Sequence, residues 1–273
     1  MRSLYQIGLP LAFAFATLTA GCASKPVMQD GVLVNDPYEA QNRSVHNFNK
    51  SVDRNVIAPV GNLLRSGGGG EQRSDRIGAR DAVINVGSNL SLPGKVVNSV
   101  LQGRPEPAIK NLFRFAVNST IGIAGIFDPA GEGFGLPEQD TDFGETLAVW
   151  GIPEGTYVEL PLIGPSTQRD AAGRVVDIFI DPLNHVLNRD ERMIALGLRI
   201  GSKAGERARF GDTVDSILQD SADSYAQTRL IYLMHRRHEL GETRAEIDPY
   251  ADADADAGSD VGADEGVIDP YEE

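Results

Sequence analysis

Residues 115–127 read FAVNSTIGIAGIF, thirteen positions without a charged side chain, and Asp128-Pro129 closes the run. So short a stretch cannot cross a bilayer as a helix, which takes roughly 20 residues. Gly122 and Gly125 are expected to adopt positive φ and let the chain reverse. Two structures meet these constraints. One is a buried helix–loop element, which the residues alone favour. The other is a hairpin facing lipid, dipping into one leaflet or lining a path within it.

The two ends of the chain differ in kind from this middle. Arg2 and the terminal amine form a small positive region, and residues 7–20 are almost entirely apolar. That is the pattern of a secretory signal and is too short for a transmembrane helix. The run ends in Leu18-Thr19-Ala20-Gly21-Cys22, which resembles the lipobox of bacterial lipoproteins, with the leucine one place early and Thr19 in its usual slot. The expectation is a signal peptide over 1–21, cleavage before Cys22, and a lipidated linker over 22–31. Acylation of Cys22 by two or three chains anchors a protein firmly, each buried CH₂ contributing about 0.8 kcal/mol. An ordinary signal peptidase substrate with an incidental cysteine is the alternative. Cys22 is the only cysteine, so no internal disulfide forms. Ala23 follows it, not Asp, which resembles an outer-membrane address.

From Ala245 onward there are eleven acidic residues and no Lys or Arg, with ADADADA at 251–257. Such a segment buries too little apolar surface to offset its chain entropy. An acidic, disordered tail is therefore expected over 242–273. It repeats Ile-Asp-Pro-Tyr at 247–250 and 268–271, either by linker drift or as a short docking motif. Of the 39 acidic and 25 basic residues, 28 acidic and all 25 basic ones lie before Ala245, so the remaining body is near neutral. That leaves no basic excess for nucleic acid.

The body, 32–241, has room for one mainly helical domain. Asn35-Asp36-Pro37-Tyr38-Glu39 reads as a helix start, with Tyr38, Val45, Phe48, Val52 and Val56 on an apolar face. Asn42, Arg43, Asn47 and Asp53 form the opposite, polar face, and Pro59 is expected to stop the helix. Further helices are expected at about 75–88, 94–101 and 105–119. Asp142 and Glu145 resemble a capping box for a short helix ending near Trp150-Gly151. An extended segment is expected at 157–160, then helices from Ser166 or Thr167 to about Phe179, at 189–208, and at 212–240. Arg236, Arg237 and His238 at the last end complement a helix dipole.

Catalytic chemistry finds no support in the residues. Gly-x-Ser-x-Gly is absent, and the glycines at 67–70 are not followed by Gly-Lys-Ser/Thr, so they make no P-loop. His46 and His185 stand alone and read as surface or satisfied residues. His235 and His238 have metal-ligand spacing, but Arg236 and Arg237 between them repel a cation and no third ligand is evident. No catalytic residue, metal or cofactor is expected.

An ordered set of motifs resembles the VacJ/MlaA family of outer-membrane lipoproteins. Asn35-Asp36-Pro37-Tyr38-Glu39 with Asn42-Arg43 and Asn47-Phe48-Asn49 forms the first block, within which Asn42, Asn47 and Phe48 are the helix motif. Val97-Asn98, Leu101-Gln102-Gly103, Phe113-Arg114-Phe115 and Asn118-Ser119-Thr120 follow. Asp142-Phe143-Gly144, Trp150-Gly151, Leu160-Pro161, Gly164-Pro165-Ser166 and Arg169-Asp170 complete it, covering about 35–240. Val86 and the loop at 66–70 depart from the family pattern.

The resemblance implies a ring-like helical domain with an amphipathic central channel, lying in the inner leaflet of the outer membrane on its periplasmic side. It implies association with trimeric porins, removal of phospholipid from the outer leaflet, and delivery to a periplasmic lipid carrier. It makes the 115–127 segment the channel's apolar hairpin, with Thr120, Ile121, Gly122, Ile123, Gly125, Ile126 and Phe127 along the lipid path. Dragging a charged headgroup through hydrocarbon costs several kcal/mol or more. A polar path beside an apolar wall lowers that barrier without catalytic groups. An adaptor lipoprotein that organises porins without moving lipid is the rival from another class, and a lipid hydrolase is a third.

Overall fold

The computed structural model describes residues 26–29, 31–66 and 78–241. The expected signal peptide 1–21, Cys22, the first part of the linker, the glycines at 67–70 and the acidic tail lie outside the described residues.

The fold is mainly helical, with two small antiparallel hairpins. β1 (Val27–Gln29) pairs with β2 (Val32–Val34) around Gly31, in the stretch read from sequence as linker and domain start. α1 (Glu39–Val52) passes through a π-helical turn, Asp53–Ile57, into α2 (Ala58–Ser66). The expected stop before Pro59 does not occur. In the widened turn the Ala58 N–H reaches the Asp53 carbonyl, and Pro59 falls in the first turn of a new α-helical segment. There a missing N–H costs little.

α3 (Ala79–Leu101) is one helix where two were expected, and Pro93 lies inside it. The Leu90 carbonyl, in the turn that Pro93 loosens, takes a guanidinium N–H from Arg199. α4 (Pro105–Thr120) carries Pro105 at its first position, as expected, and a single turn, α5 (Pro129–Glu132), follows. α6 (Phe143–Val149) is capped by Asp142, which accepts the Glu145 N–H at 2.8 Å. Only half of the expected capping box forms, because the Glu145 side chain turns to Arg104 and Thr141 instead. β3 (Tyr157–Leu160) is the expected extended segment and pairs with β4 (Gly164–Thr167). Thr167 then caps α7 (Gln168–Ile180). α8 (Leu183–Val186) leads to α9 (Arg189–Arg209), which starts in a full capping box of Asn188 and Glu191.

The last expected helix is in fact two, α10 (Gly211–Leu218) and α11 (Ser224–Glu239). Asp223 makes the break by capping a fresh start. It accepts the Ala226 N–H at 3.1 Å while Arg43 grips the same carboxylate through two bonds. No helix among the described residues is long and apolar enough to cross a membrane.

The burial pattern is inverted. Among the described residues 22 polar or charged ones are buried against 12 apolar ones, and 33 large apolar side chains are exposed. α1 shows this in part. Of its apolar face, Phe48 and Val56 are exposed and Tyr38, Val45 and Val52 are half-buried, whereas Asn42 and Asp53 of the polar face, and His46, are buried. Arg236 is also not a surface complement to a helix dipole. It is buried, holding Asp170 at 3.0 Å and Asp142 at 2.6 Å, and so ties α11 to α7 and to the cap of α6.

Helices approach closely where side chains vanish. A Cβ on Gly87 of α3 would lie 2.3 Å from the Ser202 Cβ of α9, and one on Gly173 of α7 would lie 2.3 Å from the Gly144 nitrogen of α6. Gly173→Ala should therefore spread the α6–α7 crossing. A loss of about 1–3 kcal/mol is expected, the usual cost of overpacking, read as a lower Tm in detergent.

Asp170 sets an acid limit on the fold. Burial pushes its carboxyl up, but Arg236, Tyr232 and Arg169 outweigh that and hold it below its ordinary 3.8. A depressed carboxylate stabilises the fold fully above the unfolded value and loses that contribution as pH falls through the folded one. Unfolding followed by circular dichroism should show stability falling as pH drops below about 4. Asp170→Asn should be less stable at neutral pH and lose less on acidification.

Candidate functional site

The inner face of α1 docks on the edge of β3 as a strand would. Asn42 donates to the Tyr157 carbonyl at 3.3 Å and accepts the Glu159 N–H at 2.9 Å, which satisfies strand groups that otherwise lack a neighbour. One turn on, His46 lies buried between Glu159 (3.3 Å) and Ser224 (3.1 Å). A further turn on, Asn49 donates to the Leu160 carbonyl at 2.9 Å and accepts the Leu162 N–H at 2.7 Å. Residues 42, 46 and 49 thus use the helical period to bond one strand and its turn.

The turn that Asn49 holds is unusual. Leu162 sits at φ +66°, a left-handed conformation that an ordinary side chain adopts at a cost, and it is 66 % exposed. With Ile163 it projects between two cavities and lines both. The smaller, 320 Å³, has a mostly apolar wall to which Val52, Val214, Ile217, Leu218 and Ile231 contribute. The larger, 870 Å³, is bounded by α3, residues 138–140, α7 and α9, and carries charges of both signs. Asp53 and Ile57 of the π-helical turn also belong to both.

The charges of the larger cavity are mostly paired. Lys95 meets Glu138 and, at 2.6 Å, Asp140. Burial opposes its charge, but the two carboxylates outweigh this and raise its pKa. Arg199 holds Asp181 at 2.7 Å. Arg207 binds both Asp53 oxygens at 2.9 Å and Asp215 at 2.5 Å; the Asp53 bonds keep it charged although burial opposes them.

The apolar reversal lies elsewhere, outside α3. Ile121 is 67 % exposed, Thr120, Ile123, Ile126 and Phe127 are exposed too, and only Gly122 and Gly125 are buried. None of the seven lines either of these two cavities. The left-handed residues are Ile123, Ala124 and Gly125 (φ +53°, +57°, +89°), and Gly122 is not among them. Gly122 is needed for space, since a Cβ there would meet the Phe127 carbonyl oxygen at 2.5 Å.

Polar bonds behind the reversal hold it in shape. Asn118 donates to Asp128 at 2.7 Å, Arg114 binds Asp128 at 2.9 Å, and Asn85 donates to the Ile126 carbonyl at 3.1 Å. The helix-motif residues divide. Asn42 is a buried hub, while Asn47 and Phe48 are exposed. Sequence reasoning missed Leu162 and Ile163 and gave Asn49 no role beyond its place in a motif. The signal was there, since a turn between two strands rarely carries two large apolar residues.

The profile of the MlaA lipoprotein family matches residues 34–239. This chain belongs to that family. Among its relatives in the MlaA lipoprotein family, the intermembrane phospholipid transport system lipoprotein MlaA of Escherichia coli K12 is 32 % identical over 252 residues, 87 % of this chain and 91 % of the relative. An uncharacterized protein of Rickettsia felis is 34 % identical over 207 residues, covering 76 % and 77 %. A solved structure, described as the structural basis for maintenance of bacterial outer membrane lipid asymmetry, superposes with a TM-score of 0.60 at 27 % identity. It covers 75 % of this chain and 98 % of its own.

Within this MlaA-family fold, Gly122→Ala should displace the reversal by forcing the Phe127 carbonyl away. We expect a loss of about 1–3 kcal/mol, together with faster amide exchange over 121–127 measured by hydrogen–deuterium exchange.

Proposed function

We propose that this protein is an outer-membrane lipoprotein that takes mislocalised phospholipids from the outer leaflet and passes them to a periplasmic carrier, so maintaining lipid asymmetry. The observation that carries this reading is the pair of cavities sharing Asp53, Ile57, Leu162 and Ile163. A molecule with two apolar tails and a charged head fits an apolar chamber joined to a charged one. Tails removed from water gain about 25 cal/mol per Å² of apolar surface. A headgroup beside paired charges avoids the several kcal/mol it would lose in hydrocarbon.

The inverted burial supports a position in lipid. Exposed side chains such as Phe179, Val186, Met193 and Ile194 suit hydrocarbon and would be costly in water. Acyl chains on Cys22 would hold the body at the membrane from its periplasmic side. Trimeric porins are the proposed partners in the bilayer, and a soluble carrier is the proposed acceptor beyond it. The names of the E. coli relative and of the matching structure point the same way. The transfer itself is passive and calls for no catalytic residue.

Leu162→Asp combined with Ile163→Asp tests this. Carboxylates at the junction should cut co-purifying phospholipid, counted by lipid mass spectrometry, by about tenfold or more, given the several kcal/mol that burying a charge costs. A strain carrying only this variant should accumulate outer-leaflet phospholipid and become detergent-sensitive. Unchanged lipid occupancy and unchanged asymmetry would refute the reading.

A further inference from the structure

Five cations line the larger cavity, and four of them are claimed. Lys95 has Glu138 and Asp140, Arg199 has Asp181, Lys203 has Glu206 at 3.0 Å, and Arg207 has Asp53 and Asp215. Arg174 of α7 is the exception. Its half-buried side chain makes no hydrogen bond or ion pair with any described residue, and its Nε is buried without a partner. The nearest candidate along its own helix, Asp177, is committed elsewhere. Its oxygens accept from the Asn98 amide at 2.8 Å and from the Phe143 N–H at 3.2 Å.

Asp177 is near enough to share the charge electrostatically, but no carboxylate bonds the Arg174 guanidinium, whose Nε is left without a partner at the cavity wall. Buried charges are ordinarily paired, and an unpaired one costs several kcal/mol unless water or a ligand supplies the counter-charge. Arginine presents a planar fork of donors that matches two oxygens of a phosphate. The apolar chamber shares Asp53, Ile57, Leu162 and Ile163 with the same space, so an anion held at Arg174 lies beside room for acyl chains.

We infer that Arg174 is the receptor for the phosphodiester of the lipid headgroup, the one cation lining the cavity that makes no ion pair with a described residue. This rests on the transport reading given above. A phosphodiester carries one negative charge whatever alcohol it bears. The contact therefore selects phospholipid over uncharged diacylglycerol while leaving headgroup identity open. The paired cations around it keep the cavity polar without adding net charge that would trap the lipid.

The test uses the full-length acylated protein in detergent micelles. Affinities for phosphatidylglycerol and for diacylglycerol with the same acyl chains are measured for wild type, Arg174→Gln and Arg174→Lys, with inorganic phosphate as a separate ligand and competitor. Wild type should prefer phosphatidylglycerol. Arg174→Gln should weaken phosphatidylglycerol about tenfold, the value of a charge-assisted bond, and leave diacylglycerol unchanged. Arg174→Lys should retain most of the affinity. Inorganic phosphate, lacking tails, should not compete at millimolar concentration. Because Arg174 bonds no protein group, its Tm should not fall, and a lowered Tm would overturn the assignment in favour of a structural role. Wild-type phosphatidylglycerol binding by Arg174→Gln would overturn it and leave the transport reading standing. Phosphate binding that depends on Arg174 while lipid binding does not would assign the site to free phosphate instead. A wild type that holds no phospholipid at all would sink both.

Discussion

The Arg236 guanidinium lies buried between Asp170 and Asp142, and three segments distant in sequence meet at that one group. The rest of the body repeats the arrangement. Arg229 is buried against Asp36, joining α11 to the entry of α1, and Arg114 against Asp128 fixes the end of the apolar reversal. Removing one member of such a pair leaves an uncompensated buried charge, at a cost of about 3–5 kcal/mol. The pairs are therefore binding constraints on topology whatever their net contribution to stability.

Polar glue of this kind follows from where the apolar side chains go. A helix whose greasy face looks outward has no hydrophobic gain left with which to hold its neighbours. In hydrocarbon that gain is absent anyway, so close packing of small residues and hydrogen bonds between helices take over. Both are present. Gly87 lets α3 approach α9, Gly173 lets α7 cross α6, and Asn42, His46 and Asn49 bond α1 to β3. The inverted burial and the polar networks are two sides of one constraint.

That constraint also explains what the sequence disclosed and what it withheld. Some caps were legible because they are local. Asp142 and Thr167 each start the helix that their side chains announce. The start read at Asn35–Glu39 was not of that kind: α1 begins at Glu39 with no side-chain cap, and Asp36 is taken by Arg229, Tyr225 and Asn42. Breaks that depend on distant contacts were not legible. Pro59 was read as a stop, but a π-helical turn absorbs it; a gap was read between 88 and 94, but α3 runs through it with Pro93 inside, and Arg199 answers the Leu90 carbonyl one turn earlier. The two faces of α1 were legible, but not which residues of each are buried, because an apolar stripe reports which face avoids water, not which face meets protein. Phe48 shows the difference. The uncharged stretch at 115–127 was legible as a reversal, but the residues alone favoured a buried one, and its tip is exposed; its neighbourhood was not legible either, because the cavity walls come from helices far away in sequence.

The two cavities bear on how such a protein can work without energy of its own. A chamber that suits tails and a chamber that suits a head lower the barrier between membrane and water by the same amount in both directions. Walls alone fix a rate and a preference among ligands. They cannot fix which way lipid flows, since a conformational or binding equilibrium shifts only by differential free energy supplied to it. Net movement must then come from whatever removes lipid at the water side. This places a limit on how tightly the cavity can bind. Each tenfold gain in affinity deepens the well by about 1.4 kcal/mol and slows release. A cavity whose cations are mostly neutralised by their own carboxylates, with Arg174 left open, meets that limit by recognising a phosphate through one contact in place of five.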